Sequence, residues 1–235
     1  MPRLFSLIRG IVRLLFLYFS TTPSIWVVLN PLLYIMFLPL GIHFIMTLPW
    51  PFLNNLLDPY GRGTTLYFLT YVYAPLINNK PVLDAIETAL ILFGASLSIW
   101  SFAFWVKSRG KLMKNGPYRV IRHPQYLGII LTVLGLSFRT ARPIALISWG
   151  TMTYMYLLMA LFEERSLSKK FGGEYESYRA KTWFMFPVPK VLTKGFNRFR
   201  TLAMASIATL AFVTYIMSII YGSYYYVVSL RGVTF

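Results

Sequence analysis

Long runs of apolar residues, separated by short polar stretches, are the dominant pattern along this chain. Residues 25–48 and 83–106 each contain 24 positions, and residues 201–228 form a third run without a formal charge. In the second run, Asp84 and Glu87 lie only in the first turns. At about 1.5 Å per residue, each run is long enough to cross a hydrocarbon core of about 30 Å. The pattern predicts membrane-spanning α-helices.

Two further helices are predicted between these runs, one from Pro124 to about Phe138 and one from Pro143 to Phe162. The first would be only about 22 Å long, which is short for a full crossing. The intervening residues Arg139 to Arg142 fit a turn. We therefore predict a helical hairpin that starts and finishes on one side of the membrane. Residues 163–200 are polar and charged, and we expect them to form a cytoplasmic module.

The amino-terminal part of the chain is harder to interpret. Residues 4–19 are apolar but include Arg9 and Arg13, which favours an interfacial amphipathic helix or a short first span over a cleaved signal peptide. Residues 49–63 are predicted to form a loop. Residues 66–77 are apolar but short, so it stays open whether they cross the whole membrane. We divide the chain into an amino-terminal membrane region (1–82), a core (83–200) and a final transmembrane helix (201–235). The orientation of the N-terminus stays open.

Composition excludes a soluble domain and several kinds of site. The chain is 57% apolar and 13% charged, against about 25% charged residues in a typical soluble protein. It contains no cysteine and two histidines, so disulfides, thiolate ligands and a cysteine nucleophile are impossible, and we expect no metal site. His43 lies within a predicted span, where we expect a hydrogen bond inside the bundle. The predicted fold class is an all-α integral membrane protein, a multi-span helical bundle.

The net charge of +16 is unevenly distributed. Of the 23 lysines and arginines, six lie in residues 107–122 and nine in residues 163–200. Basic residues beside spans mark cytoplasmic segments and attract anionic lipid headgroups. We therefore place both segments at the inner leaflet and expect no nucleic-acid partner.

The first candidate motif is KNGPYRVIRHPQYLG, residues 114–128. A Gly-Pro turn precedes Pro124, which is placed as the first residue of a helix. A helix N-terminus with basic neighbours binds anions, and Gly128 would allow a ligand or another helix to approach closely. The polar and aromatic side chains around this N-terminus are Arg119, Arg122, His123 and Tyr126.

The second candidate motif, residues 162–187, contains four of the seven acidic residues of the chain. Glu163 and Glu164 would lie about 100° apart on a helix, so we expect only one of them to face a given ligand. The other is expected to pair with Arg165 or Lys170 nearby.

Two glycines, at 172 and 173, are expected to end that helix. The next helix would carry Tyr175 and Tyr178 along one face, three residues apart. Two roles remain open for these tyrosines: packing onto the membrane surface and contact with a ligand.

Together the two motifs resemble the membrane-embedded methyltransferase superfamily that contains isoprenylcysteine carboxyl methyltransferases and phospholipid N-methyltransferases. The matching residues are GPYRVIRHPQYLG, the pair EE, FGGEYESY and a closing Pro187. The resemblance extends over about residues 85–190.

The resemblance implies that S-adenosylmethionine binds at the cytoplasmic face between the two motifs, while a lipid or lipidated acceptor enters from the bilayer. It implies a general-base role for Glu163 or Glu164 where the acceptor is a protonated amine. Phe184 stands where many relatives carry a basic residue. Arg179 or Lys181 is expected to compensate, and Arg179 is the residue we assign to substrate binding. The implied cofactor-binding residues are Arg122, His123, Tyr126, Gly128, Glu163, Glu164, Tyr175 and Tyr178.

Two alternatives to methyl transfer remain at this point. One is a membrane reductase that uses NADPH, since sterol reductases have a distantly related helical arrangement. The other is a non-enzymatic lipid-binding subunit. The acceptor and the oligomeric state are left open by the sequence.

Overall fold

The structure is a computed structural model that describes residues 31–48, 80–107, 111–185 and 198–230. The chain divides into two compact units, Met1–Leu38 and Pro39–Phe235. The predictions for residues 4–19, 49–63 and 66–77, and for Pro187, lie outside the described residues. Within them the structure has these elements: α1 (Pro31–Thr47), α2 (Lys80–Lys107), a 3₁₀ helix (Gly116–Arg119), α3 (Pro124–Thr140), α4 (Pro143–Phe171), α5 (Gly173–Lys181) and α6 (Arg198–Leu230).

The described residues are helical, with no strand among the named elements, which confirms the all-α fold class. Three helical stretches there are long and apolar enough to cross a membrane: α2, α4 and Ala203–Tyr226 of α6. Half of the most apolar window of α4 is buried, against 11% in α2 and none in α6. Helix α4 is therefore the innermost of the three, and the other two expose their apolar side chains as lipid-facing helices do.

Helices α3 and α4 form the predicted hairpin. Pro143 begins α4 three residues after α3 ends at Thr140. Between them Ala141 adopts a left-handed conformation, with φ 48°, and its N–H donates to the carbonyl groups of Ser137 and Phe138. The hydroxyl of Ser137 also contacts the carbonyl oxygen of Ala145 at 3.3 Å. The tight turn fixes two neighbouring helices side by side.

Helix α3 packs against α2 through glycines. A Cβ added to Gly128 would lie 2.7 Å from the carbonyl oxygen of Gly94, and one added to Gly135 would lie 2.7 Å from that of Glu87. Real Cβ atoms essentially never come so close, so only glycine permits this separation of the two backbones. The close approach expected at Gly128 is thus occupied by a helix of the same chain.

Helix α4 continues to Phe171, so the predicted end at Phe162 was wrong. The charged residues after Phe162 do not stop the helix because one of them, Glu164, is buried against another part of the chain. The helix ends only where Gly172 turns the chain with φ 52°, as the glycine pair predicted, and α5 begins at Gly173.

Helix α6 lies antiparallel to α4 and contacts it through polar and aromatic groups. Tyr154 and Thr209 share a hydrogen bond of 2.8 Å, and Tyr215 donates to the carbonyl oxygen of Leu146 at 2.8 Å. Such bonds between apolar helices contribute on average about 0.6 kcal/mol each. His43 of α1 is 2.8 Å from the hydroxyl of Ser148, which confirms its expected hydrogen bond inside the bundle.

Candidate functional site

His123 is the point at which the two sequence motifs meet. It precedes the first residue of α3 and is 1% exposed. Its Nδ1 atom lies 3.5 Å from Oε2 of Glu163, and its Nε2 atom lies 3.4 Å from Oε1 of Glu164. The imidazole has a nitrogen on each side and lies between the two glutamates, so both contact the first motif. That only one of them faces a ligand stays a prediction.

Glu164 forms a second contact with the first motif. Its Oε1 atom is 2.6 Å from Nε of Arg122, and both side chains are at most 2% exposed. Arg122 also donates through Nη1 to the carbonyl oxygen of Arg179 at 3.0 Å. The partner of Glu164 is therefore an arginine from the loop before α3, rather than Arg165 or Lys170 of its own helix. A buried pair of this kind depends strongly on both of its members.

The charge of His123 follows from these neighbours. Burial alone would lower its pKa, but the hydrogen bonds and charges of Glu163 and Glu164 outweigh burial and raise the pKa to about 9. The imidazole is therefore protonated at neutral pH. Two carboxylates and two cations, His123 and Arg122, form one cluster of opposite charges beside Arg179.

Glu163 is the accessible member of the cluster. Its side chain is 37% exposed, against 1% for Glu164. It accepts a hydrogen bond from the hydroxyl of Tyr126 at 3.2 Å. Of the two glutamates, only this one presents a carboxylate that a ligand can reach without first displacing buried side chains.

Aromatic rings surround the imidazole. Tyr126 stacks on His123 with a centroid distance of 5.7 Å and an interplanar angle of 4°, and Tyr156 stacks on Tyr126 at 5.0 Å. Phe184 meets the imidazole edge-on at 5.3 Å. Stacked electron-rich rings attract cations. These rings are buried, and the cation that they surround is the imidazolium of His123.

Residues 182–185 form a third side of the site through their backbone. The N–H of Trp183 donates to the carbonyl oxygen of Val120 at 2.9 Å, and its own carbonyl oxygen accepts from Arg122 N–H at 2.9 Å. His123 N–H also donates to the carbonyl oxygen of Phe184 at 3.3 Å. Sequence reasoning noted Phe184 only as a departure from a family pattern, because contacts between main-chain groups leave no signature in residue type.

Helix α5 packs against the loop before α3 and so supports the site. Tyr175 and Tyr178 are buried, with ring centroids 6.1 Å apart, and the hydroxyl of Tyr178 donates to the carbonyl oxygen of Tyr118 at 2.7 Å. Burial, reinforced by the charge of Glu164, raises the pKa of Tyr175, which keeps it neutral. Arg179 is 6% exposed, and its Nη1 atom lies 3.2 Å from Glu176. These contacts hold α5 against the first motif.

The structure thus brings seven of the eight residues of the predicted cofactor set into one cluster, with Arg179 beside them. Gly128 is the exception, because it faces α2. A buried donor in the cluster, Arg122 Nη2, has no hydrogen-bond partner within the described part of the chain. Unsatisfied buried groups are costly, and a bound ligand is one way to satisfy them.

Comparison with known proteins identifies residues 85–174 as a match to the family described as phospholipid methyltransferase. A probable protein-S-isoprenylcysteine O-methyltransferase of Oryza sativa subsp. japonica is 31% identical over 72 residues, which is 30% of this chain and 38% of the relative. Protein-S-isoprenylcysteine O-methyltransferase B of Arabidopsis thaliana is 29% identical over 97 residues, or 39% of this chain and 47% of the relative.

The name of a third relative indicates a different kind of methyl acceptor. Methanethiol S-methyltransferase 2 of Bradyrhizobium diazoefficiens is 35% identical over 85 residues, which is 36% of this chain and 29% of the relative. The chain therefore spans less than half the length of these curated relatives. No solved structure matches the chain.

Proposed function

Because residues 85–174 belong to the superfamily of membrane methyltransferases, we propose that this protein transfers a methyl group from S-adenosylmethionine to a lipid or lipidated acceptor at the cytoplasmic membrane face. The observation that carries the proposal is the position of His123 between Glu163 and Glu164. It joins two motifs about forty residues apart in sequence into one charged, aromatic-walled site.

The chemical groups of the cluster fit S-adenosylmethionine. Arg122 has a buried donor, Nη2, without a partner among the described residues, which suits the carboxylate of the cofactor. Glu163 presents an accessible carboxylate that can accept hydrogen bonds from an amino group or from ribose hydroxyls. The stacked rings of Tyr126 and Tyr156 suit a sulfonium ion. Each of these residues lies in or beside the His123 cluster.

When bound, S-adenosylmethionine supplies an electrophilic methyl group, and the protein has to align the acceptor and exclude water. The ring of Phe184, which is 7% exposed, covers His123 and Arg122 and so helps to exclude water from the site. Where the acceptor carries a proton, Glu163 is the group proposed to accept it, because it is the more exposed of the two carboxylates. For an acceptor that is already a carboxylate or a thiolate, no base is required.

Anionic lipid headgroups are the expected environment of the site. The end of α4 that carries Glu163 also carries Lys169, and the segment after α2 carries Lys111, both of which are exposed. Positive side chains near a membrane surface each contribute about 1 kcal/mol of attraction to acidic lipids. They would hold the open side of the site close to lipid acceptors.

Ligand binding to the purified full chain tests the cofactor assignment. We expect S-adenosylhomocysteine to raise the melting temperature in detergent, with Glu163→Gln weakening the effect at least about tenfold in ligand concentration. Glu174→Gln is the matched control, because Glu174 is more than half exposed and pairs with Lys114 at the surface. Stabilisation by NADPH instead would favour a reductase, and stabilisation by neither would favour a non-enzymatic lipid-binding subunit.

The acceptor is identified by a second experiment. Membranes containing the protein are incubated with S-adenosylmethionine labelled in its methyl group and with total membrane lipid, and the products are separated by chromatography. We expect label in a lipid or lipidated product with the wild type and its loss with Glu163→Gln. Label that appears equally without the protein would contradict the proposal.

A further inference from the structure

A second candidate binding site lies at the opposite end of α4. A cleft of about 190 Å³ is present between the α3–α4 turn and α6. An apolar cavity of about 150 Å³ is large enough to bind benzene, so this cleft can hold a short stretch of hydrocarbon. Its lining residues are Ala141, Arg142, Pro143, Leu146, Ser218, Ile219, Gly222 and Ser223.

The cleft is separated from the candidate site by about the thickness of a membrane core. Pro143, in the cleft, and Glu163, in the site, are twenty residues apart on one continuous helix, which corresponds to about 30 Å. A hydrocarbon core has about the same thickness. Since two candidate membrane-crossing helices, α4 and α6, form its walls, the cleft lies at the boundary of the opposite leaflet.

The charges at the mouth of the cleft favour an anion. Arg142 is half-buried and makes no ion pair with any described residue, whereas Arg139 three residues earlier lies 3.5 Å from the buried Glu87. A guanidinium group at a membrane boundary is a strong partner for phosphate. The positive charge of Arg142 therefore remains available to a ligand.

The polar groups and the open space inside the cleft also favour binding of an anionic ligand. Ser223 is 6% exposed, yet its hydroxyl makes no hydrogen bond within the described part of the chain, whereas the hydroxyl of Ser218 donates to the carbonyl oxygen of Thr214 at 2.8 Å. A Cβ added to Gly222 would meet no atom within 4 Å. The cleft therefore combines a donor that is not engaged with a wall that leaves space.

We propose that this cleft binds one anionic phospholipid of the leaflet opposite the candidate site. The phosphate contacts Arg142 and Ser223, and the beginning of an acyl chain lies along Leu146 and Ile219. Apolar side chains along the cleft explain why the ligand is a lipid and not a soluble phosphate.

Native mass spectrometry of the detergent-purified full chain tests the proposal, with phosphatidylglycerol and phosphatidylcholine of identical acyl chains as probes. We expect the wild type to retain one phosphatidylglycerol in preference to phosphatidylcholine. Arg142→Gln should weaken phosphatidylglycerol binding at least about tenfold and remove the preference, and Gly222→Leu should reduce binding of both lipids by filling the cleft.

The controls are changes of the same kind at the other end of the molecule. Lys169→Gln removes an exposed positive charge from α4, and Gly173→Leu adds a side chain where no atom lies within 4 Å of a new Cβ. Both should keep the wild-type preference for one phosphatidylglycerol, because neither residue lines the cleft and Lys169 attracts acidic headgroups only at the opposite end of the molecule. If Gly222→Leu fails to fold, Gly222→Ala and Arg142→Gln decide the question.

Three results would overturn the proposal. They are an unchanged preference for phosphatidylglycerol in Arg142→Gln, equal binding of both lipids by the wild type, and displacement of the lipid by millimolar inorganic phosphate. The last result would identify a site for free anions.

Discussion

Glu163 and Glu164 are adjacent in sequence and chemically identical, yet their surroundings give them different roles. Glu164 is enclosed by Arg122 and His123 with 1% of its side chain exposed, whereas Glu163 keeps 37% of its side chain open. The enclosed carboxylate contributes to stability, and the open one is free for a ligand. This division separates the effects of two substitutions that sequence alone would treat as equivalent.

We expect Glu164→Gln to destabilise the protein by about 3–5 kcal/mol, because it leaves the Arg122 guanidinium buried without its charge partner. Chemical unfolding in mild detergent, followed by tryptophan fluorescence, measures the change. The comparison is Glu176→Gln, which removes a half-exposed partner of Arg179 and should cost about 1 kcal/mol or less. Equal losses in the two variants would contradict the role assigned to Glu164.

A pH dependence follows from His123. Its pKa is raised from 6.5 in the unfolded chain to about 9 in the fold. Protonation therefore stabilises the fold fully below pH 6.5, and the contribution is lost as the pH rises through about 9. We expect the melting temperature of the wild type to fall across this window, and that of His123→Gln to be nearly flat there. A wild-type melting temperature that rises over the window would show that the imidazole is neutral.

At the residue level, the sequence predicted which side chains gather but not how they pair. The predicted hairpin placed the motif before Pro124 and the two glutamates at the same membrane surface, and the family resemblance implied that they share one site. The pairing of Arg122 with Glu164 depends on the path of the loop before α3 and on the length of α4, which residue types do not specify. Phe184 and Trp183 were missed as walls of the site for the same reason.

At the level of elements, the contact between α2 and α3 depends on glycine. Gly94, Gly128 and Gly135 each have a backbone or side-chain atom of the other helix within 2.7 Å of an added Cβ. The two helices thus approach as closely as their backbones permit, and dispersion forces along this contact hold the α3–α4 hairpin against α2. The position of the site depends on this contact, because His123 directly precedes α3.

We expect Gly128→Ala to destabilise the protein by several kcal/mol, since the new methyl group forces the two helices apart. Gly41→Ala is the matched control inside another helix, where no atom lies within 4 Å of an added Cβ, and it should be neutral or stabilise by up to about 1 kcal/mol. Thermal unfolding of the two variants in the same detergent provides the measurement. A Gly128→Ala protein as stable as Gly41→Ala would mean that the helices separate without cost.

Hydrophobic patterning predicted the helices α2, α3 and α6 to within a few residues, because apolar runs and prolines mark them directly. It placed the end of α4 nine residues too early, at Phe162 instead of Phe171. The error has a physical cause: charged residues ordinarily signal that a helix leaves the apolar phase, but here Glu164 is neutralised inside the protein. A helix end is determined by backbone conformation, and only Gly172 provided the required turn.

At the scale of the whole molecule, the antiparallel order of α2, α3, α4 and α6 assigns the two ends of the bundle. Lys107, His123 and Glu163 lie at one end, and the α3–α4 turn lies at the other. Because the chain contains no cysteine, single cysteines can report this arrangement without background.

We expect Lys111→Cys and Lys169→Cys to react with a membrane-impermeant maleimide from one side of sealed vesicles, and Thr140→Cys to react only from the other. All three positions are exposed. Labelling is compared in inside-out and right-side-out vesicles, with detergent-solubilised protein as the reference for complete reaction. Modification of Lys111→Cys and Thr140→Cys from the same side would show that the hairpin does not reach across the membrane.

Residues 182–185 are attached to the loop before α3 by main-chain hydrogen bonds, which leaves part of this segment free to vary in evolution. Amide and carbonyl groups are common to every residue type except proline, which lacks the N–H, so the attachment at Trp183 tolerates almost any side chain. Selection can therefore exchange Trp183, whose side chain is only partly buried, while the main-chain attachment that holds His123 persists. Under the proposed function, Trp183 is the first target for a library that seeks to redirect the chemistry.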